Sequence, residues 1–295
     1  MITAQMQAQA TFSGWDFTNT WNIVEGKSYP YLKWQFSGTP QVVSGTAYSD
    51  RGTTKLSGNT VTGLVNGTSF NTSTTTGANG YYNLLLAPGT IPASNAEVLV
   101  YLTGATKGNT LYDGATGSLS GLDIYGGYLR LVSPSTTFSG MVSGLGTALG
   151  SNSGANFLGS VSGGLLSPAS GANVQIDSTA TTLNLDQQMN IGSAILAINS
   201  TGAVIQAQAI TAAGLELLGT GGSYTLTNSG NAVGTLAGNT GSVNFADGSA
   251  FVIGTVNTAG LTTSGTTTLT TSHAVTQSAA LSATGLELLG VGGSY

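Results

Sequence analysis

The sequence lacks cysteine and has a single histidine, His273, among its 295 residues. The first absence excludes disulfide bonds and thiolate chemistry. Together they exclude an ordinary zinc centre, which needs three or four His, Cys or acidic ligands in one place. No G-x-S-x-G pentapeptide is present to supply the serine of a hydrolytic triad. We therefore predict no enzyme activity, no catalytic residue, no metal and no cofactor, and we place His273 at a turn or on an outer face.

Charged residues are also scarce, at 6% of the chain against roughly a quarter in an average soluble domain. All six basic residues lie at or before Arg130, and the formal net charge is −5. Such a surface cannot neutralise a phosphate backbone, so nucleic acid is not an expected partner. No apolar run approaches the roughly 18 residues that would cross a bilayer, so we expect no membrane span.

Glycine, threonine, serine and asparagine are abundant instead, and glycine alone accounts for 45 residues. Small, β-branched and hydroxylated residues favour strands and tight turns, so the predicted fold class is all-β. The absence of cysteine, together with few lysines, is typical of bacterial proteins that cross membranes unfolded, which predicts a secreted or cell-surface location. No signal peptide follows Met1, and we expect any export signal to lie upstream.

The clearest pattern is a phrase that occurs twice: GLELLG begins at Gly214 and again at Gly285, and each copy is followed by one residue and GGSY. A period of about 70 residues indicates a unit that stacks on copies of itself. We predict a right-handed parallel β-helix, or β-solenoid, over residues 171–295, with three coils of about 24 residues per repeat. Tyr295 falls within the second phrase, so we expect this copy to be truncated.

Five acids in the second half could in principle carry glycosidase chemistry: Asp177, Asp186, Glu216, Asp247 and Glu287. Glu216 and Glu287 occupy equivalent positions of the repeat. If they lie three coils apart, at about 4.8 Å per coil, they are separated by roughly 14 Å, which is too far for a retaining pair of carboxyl groups. This separation disfavours a polysaccharide-degrading β-helix, which we keep as the alternative hypothesis.

All three tryptophans, Trp15, Trp21 and Trp34, lie in residues 1–37. Two interpretations are open: the aromatic side chains plug one end of a stack, or they form a platform for sugar rings. In the second case Trp15, Trp21, Trp34 and Tyr31 are the candidate contacts to a glycan or protein partner.

The same segment resembles the GLUG-type motif of large bacterial exoproteins, in Gly14-Trp15-Asp16-Phe17, Trp21, Gly26 and Tyr29-Pro30-Tyr31-Leu32. The resemblance implies an aromatic coil or cap that closes a set of β-helical coils.

Residues 41–132 predict an immunoglobulin-like β-sandwich inserted into the β-helix. A hairpin signature, with the turn at 77–80 and a strand at 81–86, precedes a further strand at 97–102. The pattern SGTAYSD…GNTV…GANGYYNLLLAPGT resembles carboxypeptidase-regulatory and Cna-B-type domains. The resemblance implies a spacer and, in some Cna-B domains, a Lys–Asn crosslink, for which Lys55 or Lys107 would be the candidates.

Residues 133–170 are assigned to a connection. The segment FSGMVSGLGTALG has helix-like apolar spacing, but its glycines argue against a firm helix. We expect the strand at 128–132 to finish the sandwich.

From residue 171 onward the chain resembles the repeats of filamentous-haemagglutinin-like exoproteins, in GLELLGTGGSYTLTN, NTGSVNFADG and IGTVN…GLTTSG. The resemblance implies a non-enzymatic structural and adhesive segment of a large bacterial surface protein of the two-partner secretion or autotransporter type. Such a segment would form a stiff rod or extracellular filament. Its expected partners are a host or neighbouring-cell surface, through glycan or protein, and further copies of itself. The alternative is a polysaccharide-binding or polysaccharide-degrading β-helix protein.

Overall fold

Strands account for 49% and helices for 7% of the protein in the computed structural model, which describes residues 2–295. The prediction of an all-β protein is confirmed. The chain divides into two compact units. The first contains the residues up to Gly127 together with Thr147–Phe157, and the second contains Tyr128–Gly146 and Leu158–Tyr295.

The first unit begins with an aromatic segment that has little regular structure. It contains the helix α1 (Thr3–Met6), two 3₁₀ turns (Gln9–Thr11 and Lys33–Gln35) and the short strands β1 (Trp21–Asn22) and β2 (Tyr31–Leu32). The two strands pair antiparallel, with Trp21 opposite Leu32.

Two sheets then share one hydrophobic core. Their strands are β3 (Gln41–Tyr48), β4 (Thr60–Val65), β5 (Thr68–Ser69), β6 (Thr74–Thr75), β7 (Tyr81–Leu86), β8 (Ala96–Leu102), β9 (Asn109–Ala115) and β10 (Ile124–Tyr125). In one sheet β3 lies between β7, to which it is antiparallel, and β10, to which it is parallel. In the other sheet β4 pairs antiparallel with β5, β6 and β8, and β8 with β9. Alternate residues of β7 (Tyr82, Leu84 and Leu86) point into the core, as the period of two of a half-buried strand requires.

Most of the regular structure of the second unit consists of strands. They are β11 (Tyr128–Ser133), β12 (Gly159–Ser162), β13 (Leu165–Pro168), β14 (Asn173–Ser178), β15 (Thr182–Leu185), β16 (Met189–Ser200), β17 (Ala203–Gln206), β18 (Ile210–Leu226), β19 (Ala232–Ala246), β20 (Phe251–Ile253), β21 (Leu261–Thr263), β22 (Thr266–Thr270), β23 (Val275–Gln277), β24 (Leu281–Ser282) and β25 (Gly285–Leu289). The helix α2 (Phe138–Leu149) follows β11, and β12 and β13 form an antiparallel hairpin.

The strands from β14 onward pair in parallel, coil upon coil. One column contains Val174, Leu196, Leu215, Leu236 and Ile253. A second contains Leu183, Val204, Tyr224, Val243, Thr267 and Leu286. Except for the last rung, all of these side chains are buried. The repeated parallel winding is a β-solenoid, which confirms that part of the predicted fold.

The coils are shorter than predicted, and this changes where the repeat falls. The residue numbers of successive rungs in the first column differ by 196 − 174 = 22, 215 − 196 = 19 and 236 − 215 = 21. The difference reaches 267 − 243 = 24 only where the chain inserts residues 254–260. Three coils beyond Leu215 the first column reaches Gln277 in β23, and Leu286 lies two strands later, in β25, so the repeat advances by three coils and two further strands. As a result Leu215 lies in the first column and Leu286 in the second, so the prediction that Glu216 and Glu287 stack three coils apart is wrong.

Two expectations about the connection also differ from the structure. The strand β11 pairs in parallel with β14, residue for residue from Tyr128 opposite Asn173, and so belongs to the solenoid and not to the two sheets of the first unit. Residues 138–149 form a helix despite their glycines. One face of the helix is apolar and buried, and this burial outweighs the free-energy cost of placing glycines in a helix. The buried residues of this face are Phe138, Met141, Val142, Leu145 and Leu149.

Candidate functional site

The N-terminal aromatic cluster consists of Phe12, Trp15, Phe17 and Trp21. The centroid of the Trp15 ring lies 4.4 Å from that of Trp21, 5.0 Å from Phe12 and 6.5 Å from Phe17. Asp16 fixes the intervening turn, because its carboxylate accepts hydrogen bonds from the N–H groups of Thr18 and Asn19. The bond from Asn19 is the main reason that the pKa of Asp16 lies below its usual value. Trp15 is 44% exposed, so the cluster presents an aromatic surface to solvent.

The four predicted contact residues do not form one platform. Trp15 and Trp21 are in ring contact, and Trp34 is exposed over 79% of its surface. Tyr31, however, is only 4% exposed, and its ring packs edge-on against Phe36 at 5.6 Å. Its hydroxyl is buried without a hydrogen-bond partner among the described residues. Tyr31 therefore cannot offer its face to a glycan, because its side chain supports the fold from inside.

A second surface feature of the first unit is a cleft of about 420 Å³, which we call the tyrosine cleft. Its lining combines aromatic and proline rings with hydroxyl and amide groups: Tyr29, Pro30, Phe36 and Tyr81, with Gln35, Thr72, Ser73, Thr74, Thr75 and Asn83. The rings of Tyr29 and Tyr81 lie 5.5 Å apart, and Gln7 Nε2 donates to the Tyr81 hydroxyl at 2.6 Å. Burial raises the pKa of Tyr29.

The lining of the tyrosine cleft contains no acidic or basic side chain in the part of the chain that the structure describes. A neutral ligand with both apolar faces and hydroxyl groups suits such a surface. The cleft is not predictable from the sequence, because the Tyr29–Pro30 and Thr72–Thr75 stretches are distant in the chain and no local pattern indicates that they meet.

Three acids of the solenoid hold neighbouring elements in place. Arg130 Nε donates to Asp177 Oδ2 at 2.5 Å, and Asn199 in the next rung donates to the other carboxylate oxygen at 2.9 Å. Asp186 accepts the backbone N–H and the hydroxyl of Ser139 in the first turn of α2, where a negative charge is favourable. Asp247 accepts the N–H of Val233 at 2.9 Å, and burial raises its pKa.

Glu216 and Glu287, equivalent in the repeat, have different surroundings. Glu216 is fully buried beneath the inserted loop 254–260, where it accepts the Thr258 N–H at 2.7 Å and the Asn257 side-chain amide at 3.0 Å. Glu287 is exposed and accepts the Thr268 hydroxyl at 3.2 Å. The five acids thus have different hydrogen-bond partners.

A carboxyl pair in the first unit was not anticipated from the sequence. The carboxyl group of Glu97 on β8 interacts with that of Asp113 on β9, and Glu97 Oε2 is buried without a hydrogen-bond partner among the described residues. Burial, followed by the negative charge of Asp113, raises the pKa of Glu97 to about 8. The pairing could not be read from the sequence because a bulge between Ala96 and Val98 shifts the register of the two strands.

Two further candidates from the sequence are His273 and Lys107. His273 is exposed, as expected, and its Nδ1 lies 3.4 Å from the Ser272 hydroxyl. Lys107 Nζ donates a hydrogen bond to Asn156 Oδ1 at 2.6 Å. Among residues 2–295, no three His, Asp or Glu side chains are grouped closely enough to hold a metal ion.

Comparison of the chain with protein-family models, with curated proteins and with solved structures found no match. In the described part of the chain, no helix combines the length and the apolar character needed to cross a membrane.

Proposed function

We propose that this chain is a non-enzymatic structural and adhesive segment of a large secreted bacterial surface protein of the filamentous-haemagglutinin-like kind. The solenoid would serve as a stiff rod or as part of an extracellular filament. The observation that carries the proposal is the continuous parallel pairing of rungs along both columns, because a stack in which every rung is bonded to the next resists bending. In this proposal the solenoid is right-handed, the two-sheet core is an immunoglobulin-like spacer, and the N-terminal aromatic cluster is a GLUG-like cap.

The environments of the acids support a role without catalysis. A glycosidase needs two carboxyl groups about 5 to 10 Å apart on either side of a bound sugar. Here Asp177 is engaged by Arg130, Asp186 by α2, and Glu216 by the inserted loop. Each carboxylate is occupied by a contact that maintains the fold, and mutation of any of them should reduce stability before it affects turnover of a substrate.

Adhesion can be tested with beads coated with the full chain and offered to cultured cells. Coated beads should bind above an albumin-coated control, and Trp34→Ala, which removes a tryptophan that is 79% exposed, should reduce binding. Leu165→Ala, which removes an exposed apolar side chain from the second unit, is the matched control. Binding no better than that of albumin would contradict an adhesive role.

A second candidate function is binding of a neutral glycan, and the uncharged tyrosine cleft favours it. Sugar rings stack on aromatic faces, while their hydroxyls bond to amide and hydroxyl groups of the kind found here. Titration calorimetry with neutral oligosaccharides should show binding that Tyr81→Ala abolishes and Tyr112→Ala, outside the cleft, does not. Chromatography of the same mixtures separates binding from cleavage, and released products would contradict the non-enzymatic proposal.

A further inference from the structure

A second cavity of the first unit lies at the N-terminal aromatic cluster, and we call it the tryptophan cavity. It is open to solvent and has a volume of about 690 Å³. Its lining includes three aromatic residues, Phe12, Trp15 and Phe17, together with Thr18 and Glu25. The tryptophan cavity therefore combines aromatic faces with a negative charge, whereas the lining of the tyrosine cleft is uncharged.

The three aromatic rings of the tryptophan cavity lie close to one another. The centroid of Phe12 is 5.0 Å from that of Trp15 and 6.4 Å from that of Phe17, and the last two are 6.5 Å apart. Phe12 is buried, whereas Trp15 is 44% exposed, so the indole ring is accessible to a ligand. A cation within about 6 Å of a ring centroid is attracted by the π system, and tryptophan attracts it most strongly. The spacing of these rings allows one cation to contact more than one of them.

Hydrogen bonds hold the lining in place before a ligand arrives. The Trp15 N–H donates to the carbonyl oxygen of Phe12 at 3.1 Å, and the Phe17 N–H donates to that of Trp15 at 3.1 Å. Glu25 Oε2 accepts the Gln9 N–H at 3.1 Å, which fixes the carboxylate at the same cavity. Because these groups are already ordered, a ligand loses less free energy in ordering them.

Charges of both signs lie at the tryptophan cavity. Glu25 contributes a negative charge, and the lining contains no lysine or arginine in the part of the chain that the structure describes. Asp16, between two of the aromatic residues, adds a second negative charge. Lys33 Nζ donates to the carbonyl oxygen of Thr18 at 2.6 Å, which brings one ammonium group next to a residue of the lining. A ligand that suits this arrangement carries a cation for the aromatic rings and an anion for Lys33.

We propose that the tryptophan cavity binds a choline phosphate group. The trimethylammonium end lies against the aromatic rings and faces Glu25, and the phosphate end is directed toward Lys33. A trimethylammonium group suits this surface better than a primary ammonium group does, because its methyl groups bury apolar surface and it has no N–H groups to remove from water. The proposal does not depend on whether the solenoid is part of an adhesive rod.

The test is calorimetric titration of the full chain with choline phosphate, for which saturable binding and a change in tryptophan fluorescence are expected. The matched probe is the phosphate ester in which an uncharged tert-butyl group replaces the trimethylammonium group. This analogue keeps the shape of the ligand but should bind at least about tenfold more weakly, because it loses the attraction of the rings and of Glu25. Choline alone should bind several-fold more weakly than choline phosphate, because it has no anion for Lys33.

Variants of the aromatic lining give a second measurement. Trp15→Leu keeps an apolar side chain but removes the π face, and it should weaken binding about tenfold. Phe157→Leu is the matched control, since its ring packs on Tyr101 at 4.9 Å and does not line the cavity, and it should leave binding unchanged. Circular dichroism of each variant should match that of the wild type.

Variants of the charged residues separate the two ends of the ligand. Lys33→Gln should weaken binding of choline phosphate several-fold and leave binding of choline unchanged, because only the phosphate is directed toward Lys33. Glu25→Gln should weaken binding of both. Glu287→Gln, at an exposed carboxyl group of the second unit, should affect neither.

Two further probes distinguish the sources of the group. Flotation of the protein with phosphatidylcholine vesicles assigns a lipid headgroup, whereas binding of glycerophosphocholine without flotation assigns a soluble ester. The probe series uses the wild-type chain and so does not depend on the folding of any variant. The proposal is overturned if choline phosphate does not bind saturably, if the uncharged analogue binds equally well, or if a folded Trp15→Leu variant binds as the wild type does.

Discussion

At the scale of single residues, Glu97 is the group through which pH should act on the first unit. Its raised pKa means that the folded protein keeps this proton up to a pH near 8, whereas the unfolded chain loses it near the ordinary value of 4.5. Between these values the unfolded state binds fewer protons than the folded state. The free energy of unfolding therefore falls as pH rises through this window, and below about pH 4.5 the effect disappears.

Glu97→Gln should remove this dependence. The variant cannot ionise, so at pH 8 the first unit should be more stable than the wild type by on the order of 1–2 kcal/mol, after allowing for solvent screening of a half-buried pair. Urea denaturation at pH 5, 6.5 and 8 measures the slope, and Glu25→Gln, at an exposed carboxyl, serves as the control. A wild-type stability that does not decline over this range would contradict the assignment.

Residues of the candidate site were only partly predictable. The contact between Trp15 and Trp21 agrees with their density in one short segment, since large aromatic side chains close together in the chain tend to cluster. The burial of Tyr31 beneath Phe36 and the meeting of Tyr29 with Tyr81 depend on distant parts of the chain. No local pattern encodes such contacts, so the tyrosine cleft could not be found from the sequence.

At the scale of elements, strands were easier to predict than the helix. Short β-branched segments between glycines indicated strands correctly, because alternation and turn chemistry are local signals. The helix α2 was missed because its stability comes from burial and from its N-terminal contacts: Thr137 accepts the Gly140 N–H, and Asp186 accepts that of Ser139. Thr137 and Asp186 lie outside residues 138–149, so the helix propensity of that segment does not include their contribution.

The inserted loop 254–260 gives a prediction at this scale. Glu216→Gln should destabilise the loop by about 1–3 kcal/mol, since the buried hydrogen bond to the Thr258 N–H is weakened and an amide group then faces Asn257. Limited proteolysis within the loop and faster exchange of the Thr258 amide would report it. Glu287→Gln, at the exposed copy of the same position, should stay within about 0.5 kcal/mol of the wild type. Equal effects of the two substitutions would contradict the role of Glu216 in holding the loop.

At the scale of the whole molecule, the repeat predicted that coils stack, but it did not predict in which column of the stack each copy of the repeated phrase lies. Stacking follows from self-similarity, because a repeated unit that cannot bury its own apolar face buries it against a neighbour. The column in which a residue lies depends on the number of residues per coil. Because the coils are shorter than predicted, the second copy of the repeated phrase lies in the second column and not in the first. A difference of a few residues per coil lies within the uncertainty of strand boundaries read from sequence, and it accumulates over three coils.

The same duplication gives two copies of one leucine, one central and one terminal, with which the cooperativity of the stack can be measured. Leu215→Ala should cost about 2–5 kcal/mol, because it opens a cavity between the rungs of Leu196 and Leu236. Leu286→Ala, on the exposed last rung, should cost less than about 1 kcal/mol. If neighbouring rungs stabilise one another, native-state hydrogen exchange will show Leu215→Ala lowering protection throughout β16, β18 and β19, whereas Leu286→Ala affects only β22 and β25. Loss of protection confined to β18 in the first variant would mean that each rung is held by its own contacts and not by those of the column.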